Sequence, residues 1–271
     1  MKYHLIPCCL FLGLTQCSTP NKDISMGSSV RDGLCSLYEN HEIDKACPIP
    51  PKGMILIPAG EFKYGPRDNS VRWSSIESLP NFFIDKYEVT AKQYKECVDA
   101  GTCKDKDFGS GDEYTYNNPE KQDHPINFVS WYGAQAYCTW KGKRLPTEKE
   151  WEKAARGVDG RVYPWGNESP TCDYAVINSA KRSEPTAPGC GTNATMPVGS
   201  KPKGNSPYGV SDLSGNVAEW TSSSKTHKNS RVYRGGSMTN RSFSASLSSS
   251  DNDLLLPTRH MAKTIGFRCA Q

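Results

Sequence analysis

Cysteine is the residue type through which this chain could do the most chemistry. It carries eleven, at positions 8, 9, 17, 35, 47, 97, 103, 138, 172, 190 and 269. A thiolate attacks disulfides, binds soft metals or forms structural crosslinks. No two cysteines form a C-x-x-C pair, and His4, His41, His124, His227 and His260 do not fall at zinc spacings. Structural disulfides are therefore expected ahead of a metal centre. Other candidates are weaker. The serine-rich run 242–250 lacks the Gly-x-Ser-x-Gly elbow of a serine nucleophile and reads as a polar loop. His124, before Pro125, reads as structural rather than as a base. Of Glu148, Glu150 and Glu152, helical spacing gives Glu150 to a cap and leaves the other two solvated. Trp165 and Trp220 could line a groove, although core packing is the simpler role.

Three helices position these residues. Thr90 with Gln93 forms a capping box, Tyr94, Cys97 and Val98 make an apolar stripe, and Gly101 supplies a left-handed stop. Thr147 with Glu150 repeats the device, with Trp151, Ala154 and Ala155 facing inward and Gly157 at the end. A third helix starts near Ser130, with Trp131, Ala134 and Cys138 on one face. Residues 53–65 read as a hairpin around Pro58-Ala59-Gly60, and 81–89 as a further strand. Beyond Gly160 the chain is rich in Gly, Pro, Ser and Asn, with only short apolar runs such as Arg231-Val232-Tyr233 and Ile265-Gly266-Phe267, so an irregular, loop-built half held by crosslinks and ions is expected.

The 271 residues carry a net charge of +4, too weak to call for nucleic acid. Residues 1–17 read as an export signal: Lys2, an apolar stretch from Leu5 to Leu14, then Leu14-Thr15-Gln16-Cys17. That ending resembles a bacterial lipobox, with Gln16 a departure from its small residue, so lipid attachment is expected at Cys17. The protein would then sit at the periplasmic or cell-surface side of a bacterial membrane, held by its lipid. Residues 18–52 read as a tether and 53–271 as the folded domain. Setting aside Cys8, Cys9 and Cys17 leaves eight cysteines, an even number that admits many pairings. Proximity in sequence suggests Cys35 with Cys47, Cys97 with Cys103 and Cys172 with Cys190, leaving Cys138 and Cys269 to close a long loop.

Several separated segments together resemble the formylglycine-generating enzymes, or sulfatase-modifying factors. They are Met54 to Phe62, Ile84 to Thr90 with Gln93-Tyr94, Tyr137 to Glu152, Tyr163 to Asn167, Gly215 to Thr221, Arg234-Gly235-Gly236-Ser237 and Gly266-Phe267-Arg268-Cys269. The resemblance covers about residues 53 to 270. It implies an α+β fold of the variant C-type-lectin type, irregular, loop-rich and disulfide-stapled, and it too implies the pair Cys138 with Cys269. It also implies a copper ion on two cysteines that oxidises a client cysteine with oxygen. The positions of those cysteines, after Gly235-Gly236-Ser237, hold Asn240 and Ala245 here. Neither ligates Cu(I), so copper is not expected. Calcium is the other ion implied, on Asn216, the Val217 carbonyl and Glu219. At the family's second calcium site, Val176 replaces an asparagine and Cys190 stands in the acidic region, so a Cys172–Cys190 bridge would close the loop that calcium closes elsewhere.

Three functions follow as expectations. The first is an exported, lipid-anchored, non-catalytic binding module with Ser237, Asn240 and Trp220 along its groove, taking an envelope protein, peptide or glycan. The second is an enzyme modifying a client protein by other chemistry, and the third a structural envelope protein.

Overall fold

A computed structural model describes residues 48–65, 75–104, 111, 113–180, 186–224, 229–240 and 255–271. The chain divides into a unit ending at Pro51 and a unit spanning Lys52–Gln271, to which the following description applies. Cys17, the pair Cys35–Cys47, Ala245 and the serine run 242–250 lie outside the described residues. No helix among the described residues is long and apolar enough to cross a membrane.

All three expected helices are present: α1 (Ala91–Asp99), α2 (Trp131–Trp140) and α3 (Glu148–Arg156). Capping boxes at Thr90 and Thr147 start α1 and α3, and Ser130 caps α2 by accepting from the Gly133 N–H. Gly101 and Gly157 stand at φ 74° and 65°, the left-handed conformation that stops a helix without a Cβ clash.

The hairpin expectation fails in its pairing. Strands β1 (Met54–Ile57) and β2 (Gly60–Tyr64) flank Pro58-Ala59 but do not pair with each other. Instead β1 pairs antiparallel with β4 (Phe82–Asp85), and β2 with β3 (Ser75–Leu79). Lys153 of α3 sits at the break between the two strands. Its ammonium donates to the Pro58 carbonyl at 2.7 Å and the Gly60 carbonyl at 2.8 Å.

The loop-rich half holds a sheet of β5 (Ala218–Trp220), β6 (Ser230–Arg234), β7 (Leu255–Pro257) and β8 (Ile265–Gly266), ordered β7-β6-β5-β8. Strands β5 and β8 run parallel, the others antiparallel. Two packed clusters meet around it. One joins Tyr94, Tyr137, Trp131, Trp220 and Phe267, with Tyr94 and Tyr137 stacked and Phe267 edge-on to both. The other joins Ile57, Ile84, Trp151, Ala154 and Leu213.

Three disulfides staple the described residues: Cys97–Cys103, Cys138–Cys269 and Cys172–Cys190. Cys138–Cys269 spans 131 residues and ties α2 to the segment after β8. In the chain-entropy view such a loop contributes about 4 to 5 kcal/mol.

Candidate functional site

The segment after β6 turns sharply at Gly235 and Gly236, both at positive φ, and places Ser237 and Asn240 together. The Asn240 side-chain oxygen accepts from the Ser237 N–H at 2.8 Å and from the Ser237 hydroxyl at 2.9 Å. The Asn240 N–H donates back to the Ser237 carbonyl at 3.0 Å. The turn is wired into neighbouring loops, since Asn178 N–H donates to the Asn240 carbonyl and Gly189 N–H to the Met238 carbonyl, each at 3.0 Å. Ser237 and Met238 are buried.

These contacts determine what the turn can do. The Ser237 hydroxyl donates its proton to a carboxamide oxygen, which is no base, so it is not activated as a nucleophile. Asn240 uses its oxygen to close the turn. All six described cysteines are in disulfides, so the described residues present no thiolate to a soft metal, and the donors at the turn do not fit copper. Trp220, expected along the groove, is buried instead, its indole N–H donating to the Val129 carbonyl at 2.9 Å. Trp165 is clamped between Tyr163 and Tyr174, each ring 5.0 Å away.

The Cys172–Cys190 bridge braces the same region. Cys190 N–H donates to the Ile177 carbonyl at 2.7 Å, and the Val176 carbonyl accepts the Asn216 N–H at 2.8 Å. A covalent bond thus holds a loop that abuts the 237–240 turn.

Two of the three groups expected to bind calcium, the Asn216 side-chain oxygen and the Glu219 carboxylate, are hydrogen-bonded to protein partners. The Asn216 side-chain oxygen accepts from Met196 N–H at 3.0 Å and its amide donates to Glu88 at 2.7 Å. Val217 is buried, with its N–H on Glu88 at 3.2 Å. Glu219 accepts Arg268 on both oxygens at 2.7 Å and the Trp151 indole at 2.8 Å. Asn216 and Glu219 are linked through Glu88, which accepts the Asn216 amide and lies close enough to Glu219 and Arg268 to feel their charges.

These residues adjoin a buried charge cluster. Glu88, Asp212 and Glu219 surround Arg268, all buried. Burial pushes the Glu88 carboxyl well above the ordinary carboxylate range, and the charges of Asp212 and Glu219 push it further. Burial raises Asp212 as well, against the Gly199 N–H on its side chain at 2.5 Å. Glu88 and Arg268 lie within the recognised segments, but nothing in their spacing announced the cluster.

The glutamates of α3 divide differently from expectation. Glu150 closes the capping box and pairs with Arg144 at 2.6 Å. Glu148 and Glu152 are buried rather than solvated: Glu148 lies 3.3 Å from Arg234, and Glu152 pairs with both Arg156 and Arg234. Two arginines brought in from α3 and β6 make that burial tolerable. His124 is structural, its Nδ1 2.9 Å from Thr195 Oγ1, and burial holds its pKa below the ordinary value.

Residues 39–271 match the sulfatase-modifying factor enzyme 1-like domain. The chain belongs to this family. It is 28% identical over 323 residues to formylglycine-generating enzyme of Bos taurus, covering 96% of this chain and 86% of that one. It is 40% identical over 161 residues to inactive C-alpha-formylglycine-generating enzyme 2 of Bos taurus, covering 56% and 51%. Among solved structures, PvdO from Pseudomonas aeruginosa superposes with a TM-score of 0.64 at 23% identity, over 80% of this chain and 93% of that one. The fold is thus the α+β, loop-rich, disulfide-stapled architecture expected of the family.

Proposed function

We propose that this sulfatase-modifying factor domain is a non-catalytic binding module, exported and lipid-anchored at Cys17, that takes an envelope protein, peptide or glycan. The observation that carries the reading is the 237–240 turn, where Asn240 spends its side-chain oxygen on Ser237 at the position that the family resemblance assigns to a copper-binding cysteine. Ala245, at the second cysteine position, adds a side chain with no donor atom. The likeness to a relative named inactive, at 40% identity, supports the same conclusion. A module of this kind keeps the family scaffold and uses its surface for recognition, which needs no reacting group.

Oxygen uptake tests it. Purified protein mixed with a cysteine-containing peptide and Cu(I) is expected to consume no oxygen above the copper-only rate, and mass spectrometry is expected to find the peptide thiol unchanged. Formylglycine in the peptide would overturn the reading. Mass spectrometry of the membrane-extracted protein tests the anchor, with diacylglycerol on Cys17 expected.

A further inference from the structure

A cavity of about 540 Å³ opens between the C-terminal end of α1 and the N-terminal end of α2, and it shares no residue with the 237–240 turn. That volume is in the range of small-molecule sites. Phe128, Tyr132 and Met261 give it apolar and aromatic walls. Phe128 stands at φ 54°, a conformation a bulky side chain keeps only when its surroundings impose it. Its N–H donates to the Ala262 carbonyl at 3.0 Å, and its ring stacks on Tyr114 at 4.0 Å between centroids. One aromatic wall is therefore held in place before any ligand arrives.

The charge in the lining has one sign. Lys104 and Arg259 both line the cavity, and no Asp or Glu does so among the described residues. Both are exposed, and neither has an ion-pair partner among the described residues. The first turn of α2, which opens at the lining residue Ser130, carries no acidic residue, so the partial positive charge of that helix end adds to the two cations.

We infer that this cavity is a binding site for a carboxylate ligand with an aromatic or apolar body. Arg259 takes the carboxylate, whose two oxygens match a guanidinium fork, and Lys104 adds a second positive charge. Phe128, Tyr132 and Met261 take the body. Such a group is offered equally by a free acid and by the C-terminal residue of a peptide.

Calorimetric titration of the full mature chain tests this with N-acetylphenylalanine, with its uncharged amide, and with a short peptide ending in phenylalanine. The free acid is expected to bind saturably and the amide about tenfold more weakly, the loss expected for one charged hydrogen bond. Arg259→Gln and Lys104→Gln are each expected to weaken the acid by about tenfold, whereas Lys203→Gln leaves it unchanged. Both lining positions are exposed, so thermal melts of the two variants are expected to overlay the wild type. Tighter binding of the peptide than of the free acid assigns the site to chain termini, and equal binding assigns it to small acids. No binding of the acid, equal binding of acid and amide, or unchanged affinity in both lining variants would overturn the inference.

Discussion

Glu219 pairs with Arg268 on both oxygens, while Glu88 and Asp212 lie buried beside the pair and feel its charges. Burial, and then the neighbouring charges of Asp212 and Glu219, push the Glu88 carboxyl well above the ordinary carboxylate range. Below the ordinary value of 4.5, folded and unfolded chains both carry that proton and the group is neutral to stability. As pH rises past that value, the unfolded chain releases its proton first, so the Glu88 contribution falls until the folded carboxyl itself ionises. Each pKa unit of elevation costs about 1.4 kcal/mol. Comparing melts of wild type and Glu88→Gln between about pH 5 and pH 8 checks this: the wild type is expected to lose ground to the variant as pH rises, and parallel curves would refute it. Arg268 is the opposite case. Arg268→Leu leaves buried carboxylates without their partner, and denaturant titration is expected to show a loss of about 3 to 5 kcal/mol. Both residues stood in recognisable segments, yet their association was hidden, since 49 residues separate Glu219 from Arg268 and 128 separate Glu88 from Asn216.

Helices were the elements best read in advance, because capping is local: Thr90 and Gln93, or Thr147 and Glu150, carry their signal within one turn. Thr147→Ala removes the acceptor for the Glu150 N–H and is expected to cost about 1 kcal/mol in denaturant titration. Strand pairing was harder to read, because it depends on distant residues. The ammonium of Lys153 sits on the Pro58 and Gly60 carbonyls, where the local turn residues suggest a hairpin. Strand β5 escaped notice for another reason. Ala218, Glu219 and Trp220 are all buried, so the alternation that marks a half-exposed strand is absent. Burial also misled at α3, where Glu148 and Glu152 have polar spacing but meet Arg234 from β6, with Arg156 of α3 itself completing the Glu152 pair.

At the scale of the whole molecule, cysteine shows most clearly what placement does. Six of the eleven form three bridges, and neighbours in sequence were sufficient to pair two of them, whereas Cys138 and Cys269 were joined by elimination and by resemblance. The Cys172–Cys190 bridge closes a loop of 18 residues, and the double variant Cys172→Ser with Cys190→Ser is expected to lose about 3 kcal/mol. That loss would be seen as an earlier thermal transition and as a shift of backbone amide signals in the 237–240 turn that the loop braces. The proposed loss of the family's reaction rests on positions 240 and 245, which hold Asn and Ala where the resemblance would place cysteines. Copper(I) titration against a chromogenic chelator tests that absence most directly, with the wild type beside a variant carrying Asn240→Cys and Ala245→Cys. The wild type is expected to leave the chelator's copper untouched, while the variant withdraws one equivalent. Withdrawal of one equivalent by the wild type would contradict the account.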